Sequence, residues 1–235
     1  MTTRQMETPG PTVLRAGVID KGEPLWWVLQ VLQPGNVFVD VGANIGTVSR
    51  QAAVCVGSRG TVWAIEPDPR TFPKLAGLVA ECPQVRVTHA AVTDKVGESL
   101  IYLSYGSPQT SLREANTERP QSLTVPTVTL DMLIPEHVIV HAVKIDVQGG
   151  ECEVLRGADR LSRTCPAWIT EVDPAMLAEF GHTREELRDI MESYEFEPWI
   201  YPPRKLPHRV TDDEWASIGG PGRVFSNISW HKRGE

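Results

Sequence analysis

The chain has no apolar run approaching the roughly 18 residues that a membrane-spanning helix needs, which excludes a helical span. It has no C-x-x-C pair. Cys55, Cys82, Cys152 and Cys165 lie far apart, in a spacing that fits neither a zinc knuckle nor a disulfide scaffold. Three of them fall in expected helices or at helix ends, where a cysteine behaves as a small buried hydrophobe. A reducing cytoplasm is the simplest setting for such thiols. Positive charge is in deficit: 23 Lys and Arg against 30 Asp and Glu leave a net charge of −7. That field repels phosphate backbones, so nucleic acid is not the expected partner. The opening stretch, Met1 to Pro11, is polar, broken by Pro9, Gly10 and Pro11, and lacks the apolar centre of a signal peptide. Also missing are the G-x-G-x-x-G turn of dinucleotide sites, a Tyr-x-x-x-Lys pair, and an Asp/Asn-Pro-Pro-Tyr/Phe motif.

What the chain does have is a regular strand–helix rhythm. Residues 1–15 read as a flexible arm and 16–235 as a single domain, with no internal repeat and no convincing linker. A first helix is expected from Pro24, carrying Leu25, Trp26, Val28, Leu29 and Leu32 and stopped by Pro34-Gly35. Strands are expected at 37–39, 61–65, 85–87, 143–147 and 167–172, with helices at 45–55, 70–80 and 151–161 between them. Thr183 and Glu186 form a capping box that opens a helix to Tyr194. Two closing strands are expected at 196–201 and 224–230, the first at an edge because of Pro198. This alternation predicts an α/β fold, a mostly parallel doubly wound sheet of Rossmann-like type with an antiparallel edge. From about 97 to 128 the rhythm changes to an antiparallel excursion around a polar loop, long enough to contribute to a substrate site. The segment 202–222, rich in Pro, Gly and charge, reads as a lid or a long connection.

The strongest local signal runs from Val39 to Thr47. A strand ends in Asp40, turns through Gly42 and Gly46, and enters a helix. Ligands bind at this carboxyl edge of a doubly wound sheet, and glycines let the backbone come close to them. Glu66 ends the next strand, where a carboxylate can accept from both hydroxyls of a ribose, with Pro67 and Asp68 edging an adenine pocket. The turn is G-x-x-x-G, and Asp40 puts negative charge where a pyrophosphate would lie. A cationic nucleoside, S-adenosylmethionine, suits such a site better than a dinucleotide. A third element, Val143 to Glu151, is a buried strand with charges at its carboxyl end. Lys144 and Asp146 share strand parity there, and a mutual pair or a ligand contact is expected of them.

At these residues the chain resembles the FkbM-type methyltransferases, in which most members methylate hydroxyl oxygens. The matching pieces are Asp40 to Gly46, Glu66-Pro67, Ala91-Val92 with Asp94, Thr129 to Asp131, Lys144 to Val147, Gly149, Glu151, Val154 to Ala158 and Glu171, spanning roughly 34–172. The resemblance implies a class I methyltransferase that uses S-adenosylmethionine. It implies cofactor contacts from Asp40, Gly42, Asn44, Gly46, Thr47, Glu66, Pro67 and Ala91, with Asp146 near the transferred methyl. Asp146 is the first candidate for orienting or deprotonating the acceptor, with Glu151 and Glu171 next. The family usually has Glu where this chain has Gln148, and an amide can serve neither as a base nor as a strong metal ligand.

A divalent ion bridging Asp146 and a second carboxylate would do similar work, but no oxygen-ligand loop marks a place for it, and the metal is left open. The expected acceptor is a hydroxylated small molecule, a sugar or a secondary metabolite, with no nucleic acid and no membrane; the oligomeric state is not legible. Two other readings stand beside this one: a nucleotide-dependent oxidoreductase, and a module that keeps the pocket without catalysis. For each of the six histidines a structural or surface role is the better reading, and Thr110-Ser111-Leu112 reads as either acceptor lining or a polar turn.

Overall fold

Short apolar runs bounded by Gly, Pro and Asn are too brief for helices and too continuous for a half-exposed strand, so they bury both faces as parallel strands. In the computed structural model, which describes residues 32–103, 110–111, 121–201, 206–220 and 226–234, the central runs do this, while the run at 85–88 stays partly exposed at the sheet edge. The chain runs through β1 (Val37–Val41), α1 (Thr47–Val56), a 3-10 turn (Gly57–Arg59), β2 (Thr61–Ile65), α2 (Phe72–Leu78), β3 (Val85–Thr88) and β4 (Ala91–Val92). It continues through β5 (Gly97–Leu103), β6 (Thr110–Ser111), β7 (Gln121–Val128), α3 (Leu130–Leu133), β8 (Ala142–Ile145), α4 (Glu151–Arg156), α5 (Asp159–Thr164) and β9 (Ala167–Val172). It closes with α6 (Pro174–Glu179), α7 (Arg184–Ser193), β10 (Phe196–Ile200), β11 (His208–Arg209), α8 (Asp212–Ser217) and β12 (Ser226–Lys232).

The main sheet has the order β11-β10-β12-β9-β8-β1-β2-β3, and a second sheet has the order β4-β7-β5-β6. Strands β3, β2, β1, β8 and β9 are parallel, while β12 inserts antiparallel between β9 and β10. The chain leaves β1 toward β2 on one side and returns to β8 on the other. The order therefore reverses at β1/β8, the place where a doubly wound sheet opens a crevice. One face of the sheet packs Val39, Val41, Val143, Ile145, Trp168 and Trp230; the other packs Phe38, Val62 and Ile169 with Ala52, Ala53 and Val56 of α1. The buried Trp230 satisfies its indole by donating to Thr170 Oγ1 at 2.9 Å. Among the described residues no helix is long and apolar enough to cross a membrane.

Four expectations change. The single helix expected at 151–161 is two helices, because a Cβ at Gly157 would sit 2.2 Å from the Thr93 carbonyl oxygen; the backbone bends there to let another segment pass. The strand at 196–201 is not the edge: β11 pairs with Trp199 and Ile200 beyond it. Thr183 caps α7 by accepting from Glu186 N–H at 3.0 Å, but the Glu186 carboxylate turns away to His182 and Arg156, so only half of the box forms. The full capping box belongs to Thr211 and Glu214 at α8, inside the stretch read as a lid or connection. The arm, most of the first helix, and Leu112 lie outside the described residues.

Candidate active site

The β1 turn is built from left-handed backbone. Gly42, Asn44 and Gly46 have φ of 74°, 50° and 91°, a region that glycine enters freely and asparagine tolerates. A Cβ at Gly42 would sit 1.8 Å from the Asp146 carbonyl oxygen, and one at Gly46 2.6 Å from Leu75 Cδ1. The expectation that both glycines make room for a ligand is therefore revised. They make room for the β8 loop and for α2, and so bring the two candidate segments into contact.

Glu66 is 6% exposed. Its Oε2 accepts from Asn44 N–H and its Oε1 from Asp68 N–H, both at 2.8 Å. A carboxylate offers about four lone-pair sites, so each oxygen keeps one for a ligand hydroxyl. Burial raises the Glu66 pKa, against the two backbone bonds that lower it. The Pro67 carbonyl contacts His89 Nε2 at 3.0 Å, and His89 stacks on Phe72 with centroids 4.6 Å apart, fixing the segment after Glu66. The donor and acceptor set fits a nucleoside ribose.

Asp40 does not face the crevice. It is fully buried, with Oδ2 accepting from Ser49 Oγ at 2.6 Å and Oδ1 from Lys144 Nζ at 3.2 Å. The expected convergence of Asp40 and Glu66 on one nucleoside is thus corrected: Asp40 is fully buried between Ser49 and Lys144 and has no surface to offer a ligand, and only its partner Lys144 lines the cleft. Ala91 is also displaced from its expected role. Its side chain packs with Ile101 and Val125 in the core of the second sheet. Thr47, Gly42 and Asn44 do line a cleft of about 400 Å³, together with Ala43, Ile45, Val48, Lys144, Asp146, Ile169 and Asn227.

Asp146 stands at the rim with its side chain 36% exposed, 3.4 Å from Lys144 Nζ. The expected Lys144–Asp146 pair is present, and Asp40 extends it to a triad. Burial alone would lower the Lys144 pKa, but the Asp40 and Asp146 charges overcome it and raise the ammonium well above its usual range. Gln148, in left-handed backbone at φ 57°, donates from Nε2 to Asp146 Oδ1 at 3.1 Å and to Glu171 Oε2 at 3.0 Å. Sequence reasoning treated Gln148 only as a loss. In space a third carboxylate at that position would crowd two others, whereas the amide uses both its protons to hold them together.

Glu171 is pushed up to about 7, first by burial and then by the charges of Asp146, Glu151 and Asp173. Glu151 is also pushed up to about 7, chiefly by burial. Its Oε1 accepts from Val147 N–H at 3.1 Å and Gly149 N–H at 3.3 Å, so this candidate base is turned inward and holds the loop. Asn227 and Ile169, which complete the cleft, carried no motif. Asn227 arrives there through the antiparallel pairing of β12 with β9 opposite Glu171, and Ile169 through the pairing of β9 with β8 opposite Lys144.

The two raised carboxylates set a pH dependence of stability. Between about pH 4.5 and 7 the folded chain keeps protons on Glu151 and Glu171 that the unfolded chain has lost, so their contribution to stability falls as pH rises through that window. Glu171→Gln stays neutral throughout. Its urea midpoint is expected to gain on the unmodified chain from pH 5 to 7.5, and a constant gap between the two would contradict the assignment.

A family model described as the methyltransferase FkbM domain matches residues 40–198. The hexuronic acid methyltransferase AglP of Haloferax volcanii is 27% identical over 159 residues, covering 62% of this chain and 59% of that protein. The chain thus spans about three-fifths of the length of the curated relative it matches. Among solved structures, a Clostridium thermocellum protein assigned as an rRNA methylase aligns with a TM-score of 0.56 at 10% identity, over 90% of this chain and 94% of that one. A SAM-dependent methyltransferase of Aquifex aeolicus aligns at 0.50 and 13% identity, over 89% and 90%. At such identities the likeness establishes the fold, the Rossmann-like α/β fold of class I methyltransferases.

Proposed function

The chain belongs to the FkbM methyltransferase family, and on that footing we propose that it transfers a methyl group from S-adenosylmethionine to a hydroxyl oxygen of a sugar-like acceptor. The reading treats residues 16–235 as one methyltransferase domain. Its main support is the chain of side chains Lys144–Asp146–Gln148–Glu171, which begins with Lys144 and Asp146 in the wall of the cleft beside the β1 turn. The 27% identity to a hexuronic acid methyltransferase supports a sugar as the acceptor class.

When bound, the cofactor supplies a methyl group made electrophilic by its sulfonium, so the protein has mainly to align and to move a proton. Glu66 would hold the ribose, with the Asn44 and Asp68 amides keeping the carboxylate still. Lys144 ties the Gly42 carbonyl, at 3.3 Å, to Asp40 and Asp146, and so keeps turn and rim in register. An alcohol is about as weak an acid as water, whose pKa is roughly 15.7, and it must lose its proton as it attacks. Asp146 is exposed enough to receive that proton and is aimed by Lys144 and Gln148. Glu171, poised at about 7, offers a second site across the same amide.

The test is transfer of labelled methyl to a panel of free sugars and uronic acids, followed by alkali. An alkali-stable ether on a hydroxyl is expected. An alkali-labile ester would move the acceptor to a carboxylate, and failure to bind S-adenosylmethionine at all would remove the reading.

A further inference from the structure

Behind the cleft, where α4 packs against α7, a second cluster plays no part in the chemistry above. Cys152 on α4 is completely buried; His182 precedes the cap of α7, and Glu186 lies in its first turn. Their donor atoms all lie within 4.8 Å of one another, the one group of this kind among the described residues. The His182 ring is 12% exposed, with Nδ1 3.1 Å from Glu186 Oε2. Its Nε2 is buried and has no hydrogen-bond partner among the described residues. The nearest acceptor recorded for it, Glu153 Oε1, is 3.9 Å away, too far for a hydrogen bond. The ring therefore turns Nδ1 toward Glu186 and leaves Nε2 facing Glu153.

We propose that Cys152, His182 and Glu186 form a binding site for zinc or a divalent metal of the same borderline class. The donor set is the mixed sulfur, nitrogen and oxygen set that zinc accepts in tetrahedral geometry. Zinc bonds of about 2.0–2.3 Å place neighbouring ligands roughly 3.5 Å apart, so a contraction of the present cluster by side-chain rotation suffices. Charge is also balanced. A thiolate and a carboxylate neutralise a dication, and Arg156 holds the Glu186 carboxylate in place.

The ligands come from α4 and from the segment that opens α7. The ion therefore joins two elements that otherwise meet through side-chain packing and the Arg156–Glu186 ion pair. Because α4 begins at Glu151, the residue that holds the Val147–Gly149 loop, the staple also steadies the floor of the candidate active site. Magnesium, which prefers octahedral oxygen, does not suit this set.

The full chain, stripped with a chelator and reconstituted with cobalt(II), tests the site without any assay of methyl transfer. One equivalent of cobalt and a thiolate-to-metal charge-transfer band are expected, displaced by zinc and not by magnesium. Cys152→Ala and His182→Gln are expected to lose the band. Arg156→Gln, which frees the ligating carboxylate, should weaken binding by roughly 10–100-fold with the band retained. No bound cobalt in the unmodified chain, or a charge-transfer band that survives Cys152→Ala, overturns the proposal. Binding of S-adenosylmethionine, measured on the same stripped protein, reports separately on the methyltransferase reading.

Discussion

Asp146→Asn is expected to lower methyl transfer by about 10²–10⁴-fold, the range a positioned acid–base group contributes. S-adenosylmethionine affinity should stay within about tenfold, a difference of about 1.4 kcal/mol. The substitution keeps the shape of the side chain and removes its capacity to take a proton. It also sets an amide against the Gln148 amide, which now holds Asp146 Oδ1 at 3.1 Å, and it weakens the 3.4 Å pair with Lys144. The residues proposed to hold the cofactor, Asn44 and Glu66, bond to each other and not to Asp146. Binding and chemistry should therefore separate. Single-turnover rates with a saturating acceptor, set beside calorimetric titration of the cofactor, make the comparison. Full activity in the variant removes Asp146 as the base; a fall in affinity parallel to the fall in rate makes it a binding residue instead.

The parts of this site that can be read in the sequence are those whose reason lies close by in the chain. A strand ending in Asp40, a turn needing positive φ at Gly42 and Gly46, and a helix directly after it form one local unit, and its position at the crevice follows from strand–helix alternation. Lys144 and Asp146 could be paired on strand parity alone. What could not be read depends on distant partners. Gly157 breaks a helix because the Thr93 carbonyl passes beside it. Asp40 turns inward because Lys144, 104 residues further along the chain but opposite Asp40 on the neighbouring strand β8, takes one oxygen while Ser49 of α1 takes the other. Gln148 looks like a missing carboxylate until Glu171 is seen on its other side. Asn227 enters the cleft through an antiparallel pairing that no local pattern specifies. The cluster around His182 could not be found by cysteine spacing, because its ligands come from helices that meet only after folding. The capping box of α8 is the exception: Thr211-Asp212-Asp213-Glu214 is a readable helix start, overlooked because the surrounding Pro and Gly suggested a loop.

Lys144→Met should cost about 3–5 kcal/mol of folding stability, the penalty for leaving a buried charge without its partner. Asp40 is fully buried, and Lys144, 8% exposed, is its cationic partner at 3.2 Å. Methionine fills a similar volume, so the loss reports charge and not a cavity. That interpretation has its own control. If the cost comes from the uncompensated carboxylate, Asp40→Asn in the same chain should recover most of it, since the amide carries no charge and still accepts from Ser49. Urea denaturation of the two single variants and the double variant gives the coupling directly. A loss below about 1 kcal/mol, or no recovery in the double variant, would mean that the triad is held by packing and that its charges are incidental. The same measurement bears on the active site, because Lys144 also bonds the Gly42 carbonyl. The double variant regains stability without regaining that bond, so its cofactor affinity should stay low. Stability restored without affinity is the signature of a lysine that links the core of the sheet to the turn above it.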